Sequence, residues 1–161
     1  MSSDQVAREQ LLALLYGGNA HMTFEQAVAD FPAEHFNTRP DNIAYTPWHI
    51  LEHLRIAQWD ILDFIRNAQY KPLDWPAGYW PDPAAEATAE EWQQSVESFR
   101  ADRAQLVAMI DDPQVDLFAE LAHAPGYTIL REINVVSDHN AYHIGELAIL
   151  RQVMDAWPEN R

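Results

Sequence analysis

The chain contains no cysteine. Disulfides, iron–sulfur clusters and thiolate zinc sites are excluded with it, and a chain without thiols fits a reducing cytoplasm. Basic residues are scarce too. Ten lysines and arginines stand against 25 acidic residues, a formal net charge of 10 − 25 = −15. Such a surface repels phosphate backbones and anionic membranes, so neither a nucleic acid nor a membrane is expected as a partner. No run approaches the roughly 18 consecutive apolar residues of a bilayer-spanning helix. The start, Met1 to Gln10, lacks the basic and apolar regions of a signal peptide. Glycines number five and stand mainly at breaks. No stretch alternates apolar and polar residues over a useful length, so no sheet is expected.

What is present reads as helix almost throughout, in one domain over 1–161. The pattern predicts a first helix over 4–16, capped by Asp4 and stopped by Gly17-Gly18, with Leu11, Leu12, Leu14 and Leu15 as its buried stripe. Thr23 and Gln26 have the form of a capping box opening a short second piece. Thr46-Pro47 opens a long helix to about residue 69, with Ile50, Leu54, Ala57, Ile61 and Ile65 at core spacing. Thr88 with Glu91 opens another, ended by Pro113. A last helix runs from Thr128 to about Trp157. Four long helices with connectors of this size predict an all-α four-helix bundle, in up-down or up-down-down-up order. The loop over 70–87 is unusual, with four prolines, two tryptophans and two tyrosines in its stretch Tyr70–Pro83. Loops this long either cover a site or plug the end of a bundle.

Histidines carry the chemistry. His139 and His143 lie four residues apart, so they project from one helical face. On a wheel at about 100° per residue, they fall roughly 80° and 40° from the centre of the apolar stripe. An unpartnered imidazole is expensive there. His53, on the flank of the other stripe, supplies a third nitrogen from a facing helix, and its rival His49 sits further from the core. Three imidazoles suit one divalent ion and leave room for water or substrate. Glu146 is placed to orient His143 or to accept a proton, and Asp60 and Asn140 are further candidates for a catalytic role. Tyr142, Trp80 and His49 are candidates for substrate contact. His21, His35 and His123 lie in connectors and read as solvated, although His123 could line a pocket. The paired Glu-x-x-His motifs of a di-iron bundle are missing, the single occurrence, Glu120 to His123, lying in a connector.

Two segments, Tyr45-Thr46-Pro47-Trp48-His49-Ile50-Leu51-Glu52-His53-Leu54 and Asp138-His139-Asn140-Ala141-Tyr142-His143-Ile144-Gly145-Glu146-Leu147, make the chain resemble the DinB/YfiT-like superfamily. Members often carry tryptophan at the position of Tyr45 and glutamine at that of Glu146. The resemblance implies a metal triad at His53, His139 and His143, a four-helix bundle and a homodimer. Related families use low-molecular-weight thiols, which implies a thiol cosubstrate bound to the metal. Three readings follow. The first is a metal-dependent transferase or hydrolase acting on a small molecule, with zinc or nickel as the ion. The second is a non-catalytic metal-binding or stress-response bundle acting through dimerisation. The third is a metal-free bundle.

Overall fold

A computed structural model describes residues 2–158 of the chain. Four long helices dominate it: α1 (Ser3–Tyr16), α3 (Pro47–Arg66), α4 (Ala89–Asp111) and α5 (Ile129–Val153). A short helix, α2 (Phe24–Val28), follows α1. Helix α3 packs against α4 and α5, and α1 packs against the same two.

Side-chain contacts give the sense of each pair. Arg8, early in α1, donates to the carbonyls of Ile110 and Val115 at the end of α4 (2.6 and 2.7 Å), while the Tyr16 ring at the other end of α1 lies under Arg103. Helices α3 and α4 run alongside in one direction: Ser95 donates to Glu52, and Gln58 donates to the Phe99 carbonyl (both 2.7 Å). Helix α5 runs against α3. Tyr45, just before α3, meets Glu146, His53 meets His143 and His139, and Gln58 meets Asn140.

The local signals explain most boundaries. Thr23, Thr46 and Thr88 each close a capping box, accepting from the backbone N–H of the third helical residue while that residue's side chain returns to the cap. Gly17 ends α1 with φ of 73°, and a Cβ there would lie 2.9 Å from the His21 ring. Differences from the sequence reading are local. Ser2, not Asp4, caps α1; Asp4 sits in the first turn and pairs with Arg8 at 2.8 Å. Leu14 turns away from the stripe of Leu11 and Leu15 and is 48% exposed. Helix α5 stops at Val153, before Trp157, because Asp155 takes a left-handed φ of 53° and Arg151 Nε binds the Ala156 carbonyl (3.1 Å). The second connector folds into a small antiparallel hairpin, β1 (Glu120–Leu121) with β2 (Ala124–Thr128). Its strands are too short and too exposed to show an alternating pattern.

The core falls into two clusters. One is aromatic: Phe36 stacks on Trp92 with ring centroids 4.1 Å apart, and Phe24 stacks on Phe99 at 4.0 Å. The other is aliphatic, built around Leu62, Leu106, Ile110 and Ile133. Burial on this scale predicts a sharp contrast. In urea denaturation, Leu54→Ala, at a fully buried position, should lose about 3 kcal/mol. Leu14→Ala should change stability by less than about 0.5 kcal/mol.

Candidate metal centre

The capping box that starts α3 also places its histidines. Thr46 N–H donates to His49 Nδ1 at 3.1 Å. That nitrogen is therefore an acceptor, and His49 Nε2–H donates to the Asp82 carbonyl at 3.2 Å. His49 is buried by this double engagement, contrary to its more outward place on the wheel, and has no lone pair left for an ion. One turn later, His53 is equally buried but differently engaged. Its Nδ1 lies 2.7 Å from the Tyr79 carbonyl, which can only accept, so Nδ1 carries the proton and Nε2 keeps a lone pair.

On α5, His143 is set the same way. Its Nδ1 donates to Glu146 Oε2 at 2.8 Å, one turn ahead. Glu146 Oε1 in turn accepts from the Tyr45 hydroxyl at 2.9 Å. Burial, and then this bond to Glu146, push the Tyr45 phenol up to about 12, so it stays a donor. Both Glu146 oxygens are thereby occupied on the side of His143 away from the other imidazoles.

The three Nε2 atoms converge. His53 Nε2 lies 3.1 Å from His143 Nε2 and 3.0 Å from His139 Nε2, and the three potential donor atoms all lie within 4.8 Å of one another. In neutral rings, the His53 and His143 tautomers turn two lone pairs toward each other at hydrogen-bonding distance with no proton between them. Either a shared proton or a cation must relieve that contact. The spacing fits a cation: tetrahedral nitrogens at about 2.0–2.1 Å from zinc lie about 3.3 Å apart. The three histidines could hold a metal ion.

Electrostatics prepare the site. Burial first, and then the neighbouring imidazoles, lower His139 to about 4. Burial lowers His53 as well, against the opposing bond from Tyr79. Both are held neutral near pH 7, the form that binds metal. His139 Nδ1 is buried without a hydrogen-bond partner, as is Asn140 Oδ1. Asn140 Nδ2 donates to Gln58 (3.1 Å), whose amide donates to the Phe99 carbonyl, so this side chain ties α5 through α3 to α4.

The proline-rich loop covers the centre. Trp80 lies flat on His53, with ring centroids 3.8 Å apart and planes within 4°. The Tyr79 carbonyl comes from the same loop. Beside the histidines is a cavity of about 440 Å³, walled by Ile61, Val135, Trp75, Tyr79 and Trp80. Asp60 lines it too, but both its oxygens accept phenol hydroxyls, from Tyr70 at 3.0 Å and Tyr79 at 2.8 Å. Burial and Asp60 raise both phenols, keeping them protonated donors. Tyr142 meets His143 edge-on at 4.9 Å, yet it is 66% exposed and lies outside the cavity lining. His123 is half-buried and bound to the Phe64 carbonyl at 2.7 Å; it lines neither this cavity nor the centre. His21 and His35 are half-buried as well and bind near neighbours in the chain.

Fold and site together fit a helical metal-binding protein. The family model of the DinB superfamily matches residues 19–147, and the chain belongs to that superfamily. No curated protein and no solved structure matches it significantly.

Sequence reasoning missed Tyr79, Tyr70 and Gln58. A backbone carbonyl leaves no mark in a sequence, and a phenol in a long loop gives no spacing to read.

The lowered histidines set an acid dependence. A histidine whose folded value lies below its unfolded 6.5 takes up its proton more readily in the unfolded chain. Metal-free protein should hold its full stability above about pH 6.5 and lose it as the pH falls toward 4. Urea midpoints measured across this range check it. His139→Gln should flatten the slope.

Proposed function

We propose that this protein is a metal-dependent enzyme of the transferase or hydrolase type, with His53, His139 and His143 holding one divalent ion, zinc or nickel. The observation that carries this reading is the pair of facing Nε2 lone pairs, 3.1 Å apart in a buried setting. Such a contact is unfavourable between neutral rings and is relieved by a cation. Three protein ligands beside a cavity fit a centre with open positions, whereas a purely structural ion takes four. When bound, the ion would supply Lewis acidity and a lowered pKa for a water or thiol.

The chain's own residues do the rest. The Tyr79 carbonyl and Glu146 hold the His53 and His143 rings in the ligating tautomer, and Tyr45 holds Glu146. Glu146 is a positioning residue in this reading, because its oxygens are already engaged. Trp80 shields His53 from water. The cavity accepts a small molecule, with Asp60 and the protonated Tyr79 phenol that it holds along the wall.

The wider frame is part of the proposal. One domain over 1–161 would hold its long helices in up-down-down-up order, supported by the pairing of α1 against α4, α4 alongside α3, and α3 against α5. The protein would work in the cytoplasm, on a small molecule and without nucleic acid, consistent with its charge of −15. No described helix is long and apolar enough to cross a membrane. Homodimerisation would cover the exposed Tyr142, Ile149 and Val153 on α5. A thiol would serve as cosubstrate.

Metal analysis of untagged protein tests the centre. One ion per chain is expected after repletion, and His143→Ala should retain less than a tenth of it. Glu146→Ala should keep the ion but weaken its affinity by roughly 10–100-fold, the usual effect of losing a ligand's orienting partner. Parent protein that takes up no ion after repletion overturns the reading.

A further inference from the structure

The cavity beside the histidines has a neighbour. A second hollow of about 300 Å³ shares Asp60 and Ile61 with it and is bounded by the hairpin and the start of α5. The two have a common character. Rings line both, Trp75, Tyr79 and Trp80 in the first and Phe64, Tyr70 and Tyr127 in the second. Apart from the three histidines, their ionisable walls are phenols and the carboxylates of Asp60 and Glu132; among the described residues no lysine or arginine lines either. Two bases adjoin lining residues on the chain: Arg131 is spent on Glu132 (2.5 Å) and on the Tyr127 face (4.6 Å), and Lys71, next to Tyr70, is exposed and stands outside both linings.

Trp75 is the unexplained member. It stands on the rim of the metal cavity with 78% of its surface exposed, touching Tyr79 edge-on at 5.6 Å. An aromatic ring with most of its surface in water beside a cavity is apolar area that a flat ligand can cover.

We propose that the site takes an aromatic compound with no negative charge away from its metal-binding group, its body neutral or bearing a protonated amine and lying flat against Trp75 in the cavity beside the three histidines. This deepens the metal-centre reading and rests on it. Ring faces attract cations and flat apolar groups. With the ion engaged by the compound's ligating head, a carboxylate or phosphate at the far end of its body would meet an apolar lining with no basic partner among the described residues, against the field of Asp60, Glu132 and a strongly acidic surface. Thiol cosubstrates built with several carboxylates are therefore excluded, and a neutral or cationic thiol is the kind that fits.

The test uses the full chain loaded with cobalt(II) and three probes that share one metal-binding head. These are benzyl mercaptan, 4-(aminomethyl)benzyl mercaptan and 4-carboxybenzyl mercaptan, and thiolate sulfur is the common ligand. The thiolate-to-cobalt absorption band reports the head, and quenching of tryptophan fluorescence reports the body. The neutral and cationic probes should bind at least about tenfold tighter than the carboxylate, the scale of one unscreened charge repulsion near a surface. Trp75→Ala should weaken those two by roughly tenfold, and Trp75→Phe should restore most of the loss. Equal or tighter binding of the carboxylate probe overturns the proposal, as does Trp75→Ala binding like the parent. Cobalt uptake with the wrong order of probes sinks this inference alone. No cobalt uptake sinks the metal centre, and this inference with it.

Discussion

Three imidazole nitrogens, those of His139 and His143 each about 3 Å from that of His53 and all within 4.8 Å of one another, are the constraint on which the rest of the site depends. Nothing in ordinary packing favours that arrangement. Each ring loses hydration, and two of them are oriented so that their lone pairs face. The surrounding structure enforces it nonetheless: a carbonyl from the loop on one ring, a carboxylate on another, a tryptophan flat against the first. Strongly held, unfavourable local arrangements concentrate where function needs them. Here a cation at the convergence point would turn the arrangement favourable.

The enforcement comes from four separate stretches of chain. Helix α3 brings His53, and its first turn removes His49 from competition by using both of its nitrogens at the cap. Helix α5 brings the pair His139 and His143, aligned by the helical repeat alone. Tyr45, before α3, reaches across to brace Glu146. The loop between α3 and α4 contributes Tyr79 and Trp80, and it is anchored by the Asp60 carboxylate, which receives two of its phenols. Asp60 thus links the floor of the cavity to its lid. The Gln58–Asn140 contact below holds α3 and α5 at the spacing the imidazoles require.

Much of this was legible in the residues. The four long helices and the three threonine caps follow from periodicity and spacing, whereas the grouping of His53 with His139 and His143 draws on the family resemblance as well. Boundaries failed where a local contact outweighed the pattern: Ser2 capped ahead of Asp4, and a left-handed Asp155 stopped α5 early. The hairpin failed because five- and two-residue strands carry no period. His49 misled for another reason. A wheel ranks positions by hydrophobic company and cannot see that an imidazole serves as a cap and is buried by doing so. Among the site's supports, Glu146 was readable because it lies on the same helix as its partner, one turn away. The Tyr79 carbonyl was not, because only the folded path of the loop carries it to His53.

X-ray absorption at the edge of the bound metal tests the convergence most directly, because imidazole rings give a distinctive multiple-scattering pattern. The expected spectrum has three imidazole nitrogens at about 2.0–2.1 Å and solvent-derived oxygen ligands completing the shell. A shell made of carboxylate oxygens, or one with fewer than two imidazoles, would contradict a centre built on His53, His139 and His143.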